Sequence, residues 1–199
     1  MINVPKYNKE DRRTSFEILP PGVYVCKILN VEEQTSKKGQ RMIKVSYDVA
    51  EGQYKDFYAK QYKDNPNEDK KWNFDASFFL TIPYDGCEGY VTTNWASFWA
   101  DVEDSNNGYV FQGDEGSAVG KTFGAQLRNE QSEYNGNIYD HTKFYKSKIA
   151  QDVRDGKVSP AKDKLIETAA PAPADPSGFI NVVPDAEEDL PFGKKKKNG

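Results

Sequence analysis

Two long β-prone runs joined by a short basic turn constrain this chain more than anything else in it. They occupy residues 19–51, where Pro20, Pro21 and Gly22 punctuate the start and residues 23–31 are rich in β-branched and aromatic side chains, as a strand should be. After the turn Ser36-Lys37-Lys38-Gly39, Ile43, Val45, Tyr47 and Val49 alternate with Met42, Lys44, Ser46 and Asp48. That period of two predicts a strand with one buried and one wet face. A curled hairpin of this length opening a chain predicts a small antiparallel barrel.

The length of 199 residues suits one domain with a tail. Charged residues at 29% and a mean hydropathy of −0.84 predict a soluble chain with a modest core. Twelve Tyr, 11 Phe and 3 Trp supply more ring surface than such a core needs, so some rings should face solvent or a ligand. No apolar run approaches the length of a membrane span and no charged-then-apolar leader follows Met1, which predicts a cytoplasmic protein without a membrane partner. Cys26 and Cys87 fit neither a disulfide framework nor a zinc motif and are expected to be reduced thiols. The net charge of −4 argues against an indiscriminate binder of nucleic acid, but the charge is segregated. Residues 36–72 and 121–165 each carry nine Lys/Arg against six Asp/Glu, whereas residues 84–120 hold seven acids and no base.

In order, residues 1–18 read as a surface arm. A third strand is expected over residues 54–62, with Phe57 and Ala59 on one face and Tyr58, Lys60 and Tyr62 on the other, broken by Asp64-Asn65-Pro66-Asn67. Lys70, Lys71 and Trp72 follow, then Phe78, Phe79 and Leu80, an apolar trio expected to be buried. Thr93 or Asn94 can cap a short helix whose Trp95, Phe98, Trp99 and Val102 share one apolar, core-facing stripe, ended by Asn106, Asn107 and Gly108. Residues 122–133 alternate as a fourth strand, Asn135-Gly136 is a strong hairpin signal, and residues 138–149 form a fifth strand with interleaved rings and bases. Three strands, a helical connection and a two-strand hairpin give an all-β fold with one short helix, the five-stranded OB barrel, over residues 19–165. Residues 166–199, rich in Ala, Pro and Asp before an acidic and then a Lys-rich stretch, read as a disordered linker and tail.

Gly116 to Thr122 ends in Gly-Lys-Thr yet lacks the spacing of a phosphate-binding loop, and a strand rather than a helix follows. His141 is the one histidine, and neither cysteine has a sequence neighbour that would activate it, so it is read as a strand histidine near the binding face. Asp140, Glu130 and Glu133 match no metal motif, and no catalytic residue, metal or cofactor is expected. What remains is aromatic plus basic: Lys37 and Lys38 in the first turn, Arg41 and Lys44 in the second strand, Tyr58, Lys60 and Tyr62 in the third, and Trp72 beyond it. Arg128 in the fourth strand and Tyr139, Lys143 and Tyr145 in the fifth complete it. Rings that stack on bases and cations that follow phosphates are what single-stranded nucleic acid requires.

These segments resemble phage-encoded single-stranded DNA-binding proteins of the OB-fold type, through Pro21-Gly-Val-Tyr-Val-Cys-Lys, Ser36-Lys-Lys-Gly-Gln-Arg-Met-Ile-Lys-Val, Gly120-Lys-Thr-Phe-Gly and Tyr134-Asn-Gly-Asn-Ile-Tyr. The tail is similar to the acidic tip of bacterial single-stranded DNA-binding proteins: Asp185, Glu187, Glu188 and Asp189 lead into Leu190, Pro191 and Phe192. Here Phe192 is followed by Gly-Lys-Lys-Lys-Lys-Asn-Gly in place of a terminal carboxylate. The resemblance implies a non-enzymatic, sequence-independent binder of single-stranded DNA in phage replication, recombination or repair, with a tail that recruits replication and recombination proteins or limits binding; exposed strand edges leave room for a homo-oligomer. The competing expectation is an interaction or scaffold protein whose tail is the functional part.

Overall fold

The structure, a computed structural model, describes residues 17–166. The expectations for residues 1–16 and for the tail, including Asp185 to Phe192 and the Lys run, lie outside the described residues.

Five strands form one antiparallel sheet: β1 (Gly22–Thr35), β2 (Arg41–Val49), β3 (Ser77–Thr81), β4 (Thr122–Tyr134) and β5 (Asn137–Lys148), in the order β3-β2-β1-β4-β5. Three short helices accompany them: α1 (Phe57–Asp64), α2 (Gly89–Ser105) and α3 (Ala150–Arg154). β1 is long enough to serve two partners, pairing with β4 over Gly22 to Lys27 and with β2 from Cys26 to Thr35. The ladder with β2 slips by one residue at Leu29, a bulge that bends the strand and lets one chain segment face two neighbours. Alternation places Ile43, Val45, Tyr47 and Val49 of β2 and Phe123, Ala125 and Leu127 of β4 in the core, where Phe98, Trp99 and Val102 of α2 close over them. The ring of Tyr47 is fully buried, and its hydroxyl is satisfied by donating to the Asp75 carbonyl at 3.0 Å.

Residues 54–62 are not a strand. After a turn, the chain enters α1 at Asp56 with φ 57°, and the buried carboxylate of Asp48 caps the helix from outside it. Asp48 Oδ1 accepts from the amides of Val49 (2.8 Å) and Tyr58 (3.0 Å), and Oδ2 from Ala59 (2.9 Å). Asp48, expected on the wet face of its strand, is 2% exposed because these donors replace its water. The third strand is β3, formed by the apolar trio: Phe78 points inward while Phe79, opposite Lys44, points out. α2 begins four residues before the expected cap, since the Thr93 hydroxyl bonds back to the Gly89 carbonyl and sits inside the helix. α3 rests so closely on β4 that a Cβ on Gly124 would stand 2.6 Å from Val153 Cγ2 and 2.9 Å from the Lys148 carbonyl.

The sheet's edges, β3 and β5, share no ladder among the described residues. Side chains meet there instead: the rings of Phe78 and Phe144 stack with centroids 3.8 Å apart. Beyond Leu127, β4 and β5 continue as a two-stranded arm, whose outer β4 edge is covered where Lys164 bonds to Asn129 and Gln131. No described helix is long and apolar enough to cross a membrane.

Candidate functional site

The site grows from an irregularity in β5. Gln126 of β4 pairs with Lys146 and Leu127 pairs with Phe144, so Tyr145 is an extra residue bulged out of the ladder. Phe144 therefore turns into the core while Tyr145 and Lys146, adjacent in sequence, both face out. The Tyr145 ring, 40% exposed, has two cations near it, Lys146 Nζ 5.2 Å from its centroid and, 4.3 Å away, the Arg128 guanidinium, which is itself ion-paired with Glu130. Lys143 follows the same outward side, its Nζ 6.0 Å from the ring of Phe74. Phe74 itself is 62% exposed and leans on Phe79, 41% exposed, with centroids 6.1 Å apart. Two exposed rings beside β3 thus share this surface with Tyr145, Lys143 and Lys146 of β5 and Arg128 of β4.

Between these edges runs a groove of about 760 Å³. Phe78, Phe98 and Phe144 line its apolar part, β3 adds Ser77, Phe79 and Leu80, β5 adds Lys143, Tyr145, Lys146 and Lys148, and α2 adds Thr93, Asn94, Ser97 and Asp101. Burial pushes the Asp101 carboxyl up, opposed by the hydroxyl of Ser147, which donates to it. A smaller cavity of about 280 Å³ lies beside α1 and has a single base, Lys71, among its lining residues.

The structure gathers some of the residues expected from sequence and scatters others. Arg128, Lys143 and Tyr145 stand together at the β5 edge, and Lys44 lies opposite Phe79 on the outer face of β2 and β3. Lys37 and Lys38 are exposed in the β1–β2 turn. Arg41 is held by a two-pronged ion pair to Glu33, whose carboxyl it keeps below its usual range. Tyr139 is exposed farther out on the arm, opposite Ser132. Tyr58 is a correction: at 2% exposure it packs edge-on against Tyr47 inside the core and cannot meet a base. With residues 54–62 helical, Lys60 folds back to donate to the Lys55 carbonyl, and Tyr62 joins Trp72 and Lys70 in a separate cluster by α1. Trp72 is partly buried, its indole donating to the Ala76 carbonyl. Sequence reasoning did not assign Phe74 and Phe79 to the site; the alternation in Ser-Phe-Phe-Leu-Thr could have found Phe79 once that segment was taken as a strand.

His141 hydrogen-bonds Asp75 through Nδ1 (3.1 Å) and Ser132 through Nε2 (3.0 Å), tying the arm to the 3₁₀ turn before β3. Lys121 precedes β4 with its ammonium 4.8 Å from the Tyr109 ring, and the strand that follows it stands where a phosphate-binding loop needs a helix. Among the described residues no group of three or more His, Cys, Asp or Glu is placed to hold a metal ion.

Fold and site together define a mostly β protein whose sheet leaves an aromatic and cationic groove between its two edge strands. Residues 5–79 match a family described as a protein of unknown function (DUF669), a similarity that reaches through β1, β2 and α1 into β3. No curated protein shows significant similarity to the chain.

Proposed function

We propose that this protein binds single-stranded DNA without catalysing a reaction, using the groove between β3 and β5 and the outer face of β2 and β3. The observation that carries this reading is the bulged Tyr145, with Arg128 and Lys146 near its ring, lining one groove with the exposed Phe74 and Phe79. An exposed ring with the Lys146 ammonium beside it offers a stacking surface next to a phosphate partner, and bases of any identity can use it. The strand order β3-β2-β1-β4-β5 with α2 between β3 and β4, together with the Phe78–Phe144 stack across the open edge, supports an OB-type barrel closed by side chains rather than by a ladder. The β1–β2 turn with Lys37 and Lys38 would then flank the bound strand. Phage replication, recombination or repair is the setting implied by the resemblance, and the acidic stretch ending in Phe192 is proposed to recruit partners there.

Titration of labelled oligo-dT with the full chain tests this. Tyr145→Ala and Phe79→Ala should each weaken binding by about 5- to 150-fold, from roughly 1–3 kcal/mol per stacked base. Tyr58→Phe, whose ring is buried, should leave affinity unchanged. Affinity should also fall steeply as salt rises. Equal affinity for wild type and both ring variants would refute the site.

A further inference from the structure

The acid-rich connection has no part in the reading above, yet its helix α2 supplies part of the groove's lining. Residues 84–120 contain seven acids and no base, and the groove-lining residues of α2 include Asp101 but no cation. β5 contributes Lys143, Lys146 and Lys148, and its Ser147 donates to Asp101. A polyanion entering such a channel is drawn to β5, because its phosphates are attracted to the three lysines there and the groove-lining part of α2 offers no cation. Asn94 and Ser97 complete the helix side. Both are exposed, and among the described residues neither side chain has a hydrogen-bond partner, whereas Thr93 is already committed to the Gly89 carbonyl. The Asn94 amide offers a donor and an acceptor, and the Ser97 hydroxyl can act as either.

We propose that the groove fixes the orientation of a bound single strand, with phosphates along β5 and base edges toward α2, where Asn94 and Ser97 discriminate among bases. This rests on the groove being a single-strand site, and it adds a base preference that stacking alone does not give. An unpaired helix-surface amide and hydroxyl bond well to some base edges and poorly to others, whereas the rings accept all bases alike.

The test titrates the full chain with labelled dT, dC and dA oligomers and an abasic strand of equal length, comparing wild type with the double variant Asn94→Ala/Ser97→Ala. Alanine suits exposed helical positions, and an unchanged unfolding midpoint establishes that the variant is folded. Wild type should separate its best and worst homopolymers by about fivefold or more, the worth of one hydrogen bond. The double variant should bring them within about twofold while binding the abasic strand as wild type does. Equal wild-type affinity for all three homopolymers overturns the proposal. So does a spread that survives in the variant, or an equal loss on the abasic strand. Failure of wild type to bind any strand overturns the single-strand reading itself, whereas binding blind to base identity overturns only the role of α2.

Discussion

Replacing Asp48 with alanine should be among the most damaging single changes to this fold. Its carboxylate is the acceptor for three amides, those of Val49 and Tyr58 in the interior and that of Ala59 at its margin. Alanine leaves all three without a partner. A buried orphan amide costs about 1–3 kcal/mol, and loss of a helix N-cap about 1 kcal/mol. With water able to reach the Ala59 amide, the expected total is about 3–5 kcal/mol, a large part of the roughly 5–15 kcal/mol that stabilises a typical domain. Asparagine separates the contributions. Its carbonyl oxygen can keep the bonds to Val49 and Tyr58 while its NH2 group faces the Ala59 N–H, and it relieves the cost of burying a charge, which pushes the Asp48 carboxyl up. Asp48→Asn should therefore cost about 1–2 kcal/mol. Urea unfolding of the full chain, followed by the fluorescence of Trp72, Trp95 and Trp99, measures both. A value for Asp48→Ala within about 1 kcal/mol of wild type would refute the argument that this carboxylate, rather than local propensity, makes residues 57–64 helical.

Phe144→Ala removes the ring stacked 3.8 Å from Phe78 and should cost about 3–4 kcal/mol in the same assay while loosening the β3 and β5 edges. Gly124→Ala would force a Cβ against Val153 and the Lys148 backbone carbonyl, and a loss of about 2 kcal/mol or more is expected; a neutral result would mean that α3 does not sit where described. Asp101→Asn should stabilise the protein at neutral pH, because burial raises the folded-state pKa of this carboxyl. The native state takes up that proton before the unfolded chain does, so wild-type stability climbs as pH falls through the window just above the ordinary value of about 3.9. The advantage of the asparagine variant should shrink over that window, and denaturation midpoints measured between neutral pH and pH values near 4 check the sign.

The hairpin of β1 and β2, the Asn-Gly turn between β4 and β5 and the apolar stripe of α2 were legible because each is written in short-range periodicity or turn chemistry. Residues 54–62 misled for a specific reason. Tyr54, Tyr58 and Tyr62 recur every fourth residue, a spacing that keeps them on one face of a strand and nearly on one face of a helix. The deciding interaction comes from Asp48, ten residues before Tyr58, which no local window contains. β3, with five residues, was too short to declare its period. Of the site, the bases and Tyr145 could be picked from composition, but the partnership of Phe74 and Phe79 with β5 depends on two strands far apart in the chain lying edge by edge.

The register around Tyr145 has a consequence for the ring itself. With Phe144 opposite Leu127 and Lys146 opposite Gln126, removing this one residue would leave an unbroken ladder in which Lys146, Ser147 and Lys148 keep the faces they have now. Deleting this one residue would therefore take away the ring while leaving the interior faces of β5 as they are.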